Sequence, residues 1–159
     1  MEDFAQAAAR FCALIDRAGV VPLGRWLFDV EGALATVYAS AARLPDVGPA
    51  TDQAITGMTT EEWASLFEEL RGFLGDLDTY WVVFDARNQS SVVAASLADD
   101  LADVYRELRA GLDASRSGAP PEDVLFEWRT SFEIHWAAHA LGALGAIRDA
   151  LKKLGDDRS

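Results

Sequence analysis

The hydrophobic positions of this chain recur with the 3.6-residue period of amphipathic helices along most of its length. A first helix is expected from about Asp3 to Ala18, with Phe4, Phe11, Leu14 and Ile15 on one face, Asp3 as N-cap and Gly19 as its stop. A second follows Pro22 and carries Leu27, Val30, Leu34, Val37 and Tyr38; it ends near Leu44, because Pro45 disfavours helix at the residue before it. Residues 45–58 hold two prolines and two glycines and read as the longest and most flexible loop. Thr59-Thr60-Glu61-Glu62 is a capping box that opens a third helix, with Trp63, Leu66, Phe67, Leu70, Phe73, Leu74 and Leu77 as its buried stripe.

Tyr80-Trp81-Val82-Val83-Phe84 is apolar but has no helical period. One strand alone has nothing to pair with, so the run reads as an extended connector pressed onto the core, with a polar loop over residues 85–91. A fourth helix is expected from about Ser91 to Leu112, turning Leu97, Leu101, Val104, Tyr105, Leu108 and Leu112 inward. Gly118-Ala119-Pro120-Pro121 breaks the chain, and Pro121, Glu122 and Asp123 suit the first turn of a fifth helix. That helix runs to about Leu154, with Gly155 just past it, and spans roughly 50 Å. A second apolar strip on it, Ile134, Leu141 and Leu144 with Gly142 and Gly145 between, predicts a central position or a shared face, most simply in a twofold homodimer. The pattern as a whole predicts an all-α fold: one domain over residues 1–159, a bundle of about five helices with a long C-terminal helix and a frayed tail at 155–159.

Abundant alanine and few β-branched residues reinforce helix over sheet. The net charge of −12 excludes binding to nucleic-acid backbones or anionic membrane surfaces, which calls for clustered Lys and Arg. It leaves a basic protein partner or bound cations. Cys12 is the sole cysteine, so no internal disulfide can form, and it falls on an apolar face as a small hydrophobe. No signal-peptide pattern opens the chain and no apolar run approaches the ~20 residues of a membrane span, so a cytoplasmic location is expected.

The chemistry concentrates between Glu127 and His139, which holds both histidines and two of the five tryptophans. At about 100° per residue, Trp128, Phe132, His135, Trp136 and His139 share one face, with Arg129 beside it. Buried imidazoles and a buried guanidinium need partners. Asp100, Asp103 and Glu107, along the edge of the fourth helix's apolar face, can supply them. The expectation is an internal polar network of Asp100, Asp103, Arg129, His135 and His139, with Arg129 ion-paired to Asp100 or Asp103.

His135 and His139 at i and i+4 also have the spacing of a helical metal pair, so a divalent ion held with Asp100 or Asp103 is the alternative. The Glu of H-E-x-x-H is replaced by Trp136, and the Glu-x-x-His pattern of di-iron bundles does not occur. The histidines therefore read as structural, with no cofactor. Asp99, Asp100 and Asp103 resemble a D-D-x-x-D run used in Mg²⁺ chemistry, but Asp99 is expected to point away from the core and the run reads as a solvated face. The tryptophans read mostly as core, and no phosphate loop, nucleophile elbow or cysteine metal motif occurs.

From about Tyr80 to Ile147, the motifs Tyr-Trp-Val-Val-Phe-Asp, Ser-Leu-Ala-Asp-Asp-Leu-Ala-Asp-Val-Tyr and Glu-Trp-Arg-Thr-Ser-Phe with His135-Trp136 are together distinctive. They resemble an uncharacterised bacterial family, domain of unknown function 5063. The chain has Ala86 where that family usually has Pro and Ala137 where Gly is usual. The resemblance implies an all-helical intracellular protein. It brings no reaction, ligand or catalytic residue, and it does not require histidine at both 135 and 139. The functional expectation is a small acidic interaction or regulatory module without enzymatic activity, with an immunity protein or antitoxin as one form of it. The alternative is a metal-dependent hydrolase using His135 and His139 with a carboxylate from the fourth helix.

Overall fold

Helix α1 (Glu2–Ile15) turns Phe4, Ala8, Phe11, Cys12 and Ile15 inward at helical spacing; Met1 is its N-cap, and Asp3 lies in the first turn where its charge suits the helix dipole. Helix α2 (Leu23–Ala41) starts directly after Pro22 and buries Trp26, Leu27, Val30, Leu34 and Val37. In α3 (Thr60–Leu74) the capping box forms in full, with the Thr59 side chain and the Glu62 side chain each accepting from the other's backbone N–H. Only Leu70 and Leu74 of its stripe are fully buried. This computed structural model describes residues 1–83, 85, 87 and 92–156.

The expected connector is instead one arm of a β-hairpin. Strand β1 (Thr79–Val83) pairs antiparallel with β2 (Val92–Ser96), in the register Thr79↔Ser96, Trp81↔Ala94 and Val83↔Val92. Sequence reasoning missed the pairing because Val92-Val93-Ala94-Ala95-Ser96 leads straight into a helix and was absorbed into it. The expected helix start at Ser91, the connector's end at Phe84 and the departure at Ala86 fall outside the described residues. Helix α4 begins at Leu97 and runs to Arg116, four residues beyond Leu112.

Asp78 is the peg that joins hairpin to helix. Its buried carboxylate accepts from the Ser96 hydroxyl (2.9 and 3.0 Å) and the Ala98 backbone N–H (2.8 Å). Ser96 in turn caps α4 by accepting from the Asp99 N–H. These bonds fix which way the first turn of α4 faces, and that turn carries Asp99 and Asp100.

The long C-terminal helix is one rod in three parts: α5 (Pro121–Ser131), a π-helical turn over Phe132–Trp136, and α6 (Ala137–Asp156). The Ala137 N–H bonds to the Phe132 carbonyl, five residues back, which marks the π turn. α6 continues through Gly155 to Asp156, so the helix outruns the expected stop; the rest of the expected tail, 157–159, lies outside the described residues.

Helix α4 packs against α1, α3, α5 and α6, and α2 closes the bundle against α1 and α6. The centre holds Trp26, Trp128, Trp136, Phe11, Leu34 and Leu101. Trp128 lies so close to Gly111 that a β-carbon there would overlap its indole. Cys12 sits in this core, its thiol pushed up to about 12 chiefly by burial, as expected of an inert buried cysteine. Trp81 is the exception among the tryptophans, 72% exposed on the outer face of the hairpin, while Trp26, Trp128 and Trp136 are buried. The 45–58 loop is tied down by Asp123 at the start of α5, which accepts from the Ala50 N–H, the Thr51 N–H and the Thr51 hydroxyl. No helix among the described residues is long and apolar enough to cross a membrane.

Candidate metal centre

On α4, Asp99, Asp100, Asp103 and Glu107 follow one another at helical spacing along the edge that faces the rod. On the rod, His135 lies in the π turn and His139 in the first turn of α6. Their rings meet edge to face with centroids 4.9 Å apart. Asp100 and Asp103 are buried, while both imidazoles are partly open to solvent.

Each imidazole has its Nδ1 on one carboxylate and its Nε2 on another. His135 Nδ1 donates to Glu107 Oε1 (3.1 Å), and His139 Nδ1 donates to Asp100 Oδ1 (2.8 Å). Both Nε2 atoms then turn toward one oxygen, Asp103 Oδ2, at 3.6 Å from His135 and 3.3 Å from His139. The other oxygen of Asp103 is held by Arg106 at 3.1 Å. The second oxygen of Asp100 accepts from the Tyr80 hydroxyl at 2.5 Å.

These contacts shift the titrating groups. The hydrogen bond to Asp100 raises the His139 pKa above its ordinary 6.5; burial opposes that rise, and the charges of Asp100, Asp103 and Asp99 add to it. Burial and then Asp100 push the Tyr80 hydroxyl upward, so it serves Asp100 as a donor. Burial, followed by the nearby charge of Asp103, also raises Asp99.

Asp100, Asp103, His135 and His139 are thus brought to one place. Arg129 is not among them. Its guanidinium bonds the Leu44 carbonyl (2.7 Å) and Glu133 (3.0 Å), with Asp46 at 3.9 Å, and so clamps the end of α2 to the rod. The expected ion pair from Arg129 to Asp100 or Asp103 is therefore corrected: Arg129 pairs instead with Glu133, one helical turn along its own rod. Asp99 does not point away. It lines a cleft between the hairpin and α6, beside Asp100 and His139. Sequence reasoning also missed Tyr80 and Arg106. Tyr80 reaches Asp100 only because β1 is paired, and nothing in the local pattern signals that pairing.

Two overlapping groups could each hold a metal ion: Asp103 with His135 and His139, and Asp99 with Asp100 and His139, the ligand atoms of each lying within 4.8 Å of one another. The first matches the arrangement that seats metal-binding histidines, in which the distal nitrogen is oriented by a carboxylate.

Fold and cluster together define a helical bundle that carries one β-hairpin, with a histidine–carboxylate cluster near the hairpin's foot. The chain belongs to the family described as a domain of unknown function, DUF5063, whose model matches residues 1–153 and so extends well beyond the Tyr80–Ile147 resemblance. Among solved structures, it is similar to the crystal structure of protein BF1032 from Bacteroides fragilis. The TM-score is 0.80 at 22% identity, covering 93% of this chain and 89% of that one, so the two share a fold. No curated protein matches the chain.

Proposed function

We propose that the protein binds a divalent transition-metal ion through Asp103, His135 and His139, and that the centre serves hydrolytic chemistry. One observation carries the reading: two histidine Nε2 atoms converge on a single carboxylate oxygen while two further carboxylates hold their Nδ1 atoms. Two histidines and one carboxylate are the ligand set of open catalytic sites for zinc or non-haem iron, which keep positions free for water or substrate. Charge supports it as well. Arg106 pairs with Asp103 and Glu107, Asp99 and Asp100 lie beside His139, and a divalent cation would offset the excess negative charge. When bound, the ion would supply Lewis acidity and an activated water. Asp100 and Glu107 orient the rings, Arg106 fixes Asp103, and Tyr80 holds Asp100. The rival is the metal-free network expected from the sequence, in which protons on the imidazoles satisfy the same carboxylates.

Metal analysis of protein purified without a histidine tag tests this. The expected result is a bound transition metal, plus a rise in melting temperature on adding Zn²⁺, Mn²⁺ or Fe²⁺ that either His135→Ala or His139→Ala abolishes. Protein that retains no metal and shows no such rise overturns it.

The hairpin favours a second reading, protein interaction. Trp81, Val83 and Val92 lie exposed on one face of it, and Leu141 and Ile134 are exposed on the rod. A partner, a basic one by charge or a second copy of the chain, would cover this face. Gly142 does not offer the small-residue seat expected for a second subunit, because the chain's own Tyr80 fills it. Light scattering of wild type and Trp81→Glu separates self-association from a monomer.

A further inference from the structure

The cleft beside the centre is walled on one side by the hairpin and on the other by α6. Its volume is about 810 Å³, within the range of small-molecule sites. Phe67, Val82, Ala95 and Leu141 make its sides apolar, and Asp99, Asp100 and His139 close one end. Of the four carboxylates at this place, three are satisfied: Asp100 by Tyr80 and His139, Asp103 by Arg106, and Glu107 by His135. The Asp99 carboxylate is not: among the described residues it accepts no hydrogen bond, and His139 and Arg106 act on it through charge alone, neither within ion-pair distance.

We propose that this cleft binds a small molecule with a cationic amine head and an apolar body, the amine resting on Asp99. The inference goes beyond the metal reading and stands without the ion. A half-buried carboxylate without a hydrogen-bond donor is unfavourable, and an ammonium group satisfies it with a charge-assisted hydrogen bond. The apolar walls lower the local dielectric and so strengthen that pair. The same surroundings reject an anionic head, which would face Asp99 and Asp100 on a chain of net charge −12.

The experiment uses full-length protein treated with a chelator and compares hexylamine and phenethylamine with hexanol and hexanoate by ligand-observed NMR at neutral pH. Hexylamine is expected to bind about tenfold or more tighter than hexanol, as for a charged hydrogen bond, and hexanoate most weakly. Asp99→Asn should abolish the amine's advantage while hexanol binding persists, which also shows that the variant is folded. Because the chelator removes any bound ion, the amine's advantage is read independently of the metal reading. Equal binding of amine and alcohol, an unchanged preference in Asp99→Asn, or no binding by either amine would each overturn the proposal.

Discussion

The Tyr80 hydroxyl occupies the space that a β-carbon on Gly142 would take. That close approach lets β1 lie against α6 and brings the hydroxyl onto Asp100. Gly142→Ala should therefore destabilise the protein by about 1–3 kcal/mol, the usual cost of overpacking. Tyr80→Phe removes the clashing atom and should restore part of the loss in the double variant, although alone it sacrifices the Asp100 hydrogen bond. Denaturant melts of the four proteins give the coupling; strictly additive effects would rule out the steric account.

Asp100 and Glu107 act on the metal through the rings they hold. Asp100→Asn and Glu107→Gln should each weaken metal affinity about 10- to 100-fold without removing a ligand. Competition with a chromogenic chelator reads this directly. Affinities equal to wild type would mean that the carboxylates serve only the metal-free protein.

The His139 imidazolium faces Asp99, Asp100, Asp103, Tyr80 and His135. Its folded pKa is raised above 6.5, so the stability it contributes is present below that value and is lost as pH rises through the raised one. The melting temperature of metal-free protein should fall across that window, and His139→Gln should flatten the fall. With metal added the slope should reverse, because the ion binds the deprotonated ring. A pH profile identical in wild type and His139→Gln would exclude the linkage.

Asp123 is lowered below the ordinary carboxylate range by the Thr51 hydroxyl and then by backbone donors of the 45–58 loop. Its contribution is present at neutral pH and is lost as pH falls through the lowered value. Asp123→Ala should release the loop and speed limited proteolysis within residues 45–58 several-fold at neutral pH, since cleavage follows the population of the opened segment. Mass spectrometry of the first fragments checks the position. Cleavage elsewhere would argue against the anchor.

Local chemistry was enough for several features. The hydrophobic period determines α1, α2 and α3, and the Thr59–Glu62 capping box fixes the start of α3, because each signal acts within a turn or two of helix; the expected Asp3 cap and Gly19 stop of α1 are not its ends. The cost of unpaired buried charge likewise led from His135 and His139 to Asp100 and Asp103 on another helix. Only the tertiary structure decided that Val92–Ser96 pairs with Thr79–Val83, since a strand is defined by a partner and not by its own pattern. That pairing carries Tyr80 to Asp100 and opens the cleft at Asp99. The π turn was equally illegible: one extra residue in a helical turn leaves the hydrophobic pattern almost unchanged, yet it rotates all that follows by about 100°. Arg129 went to Glu133 and Leu44 because a long side chain takes the nearest acceptors, and which of them are near is set by packing.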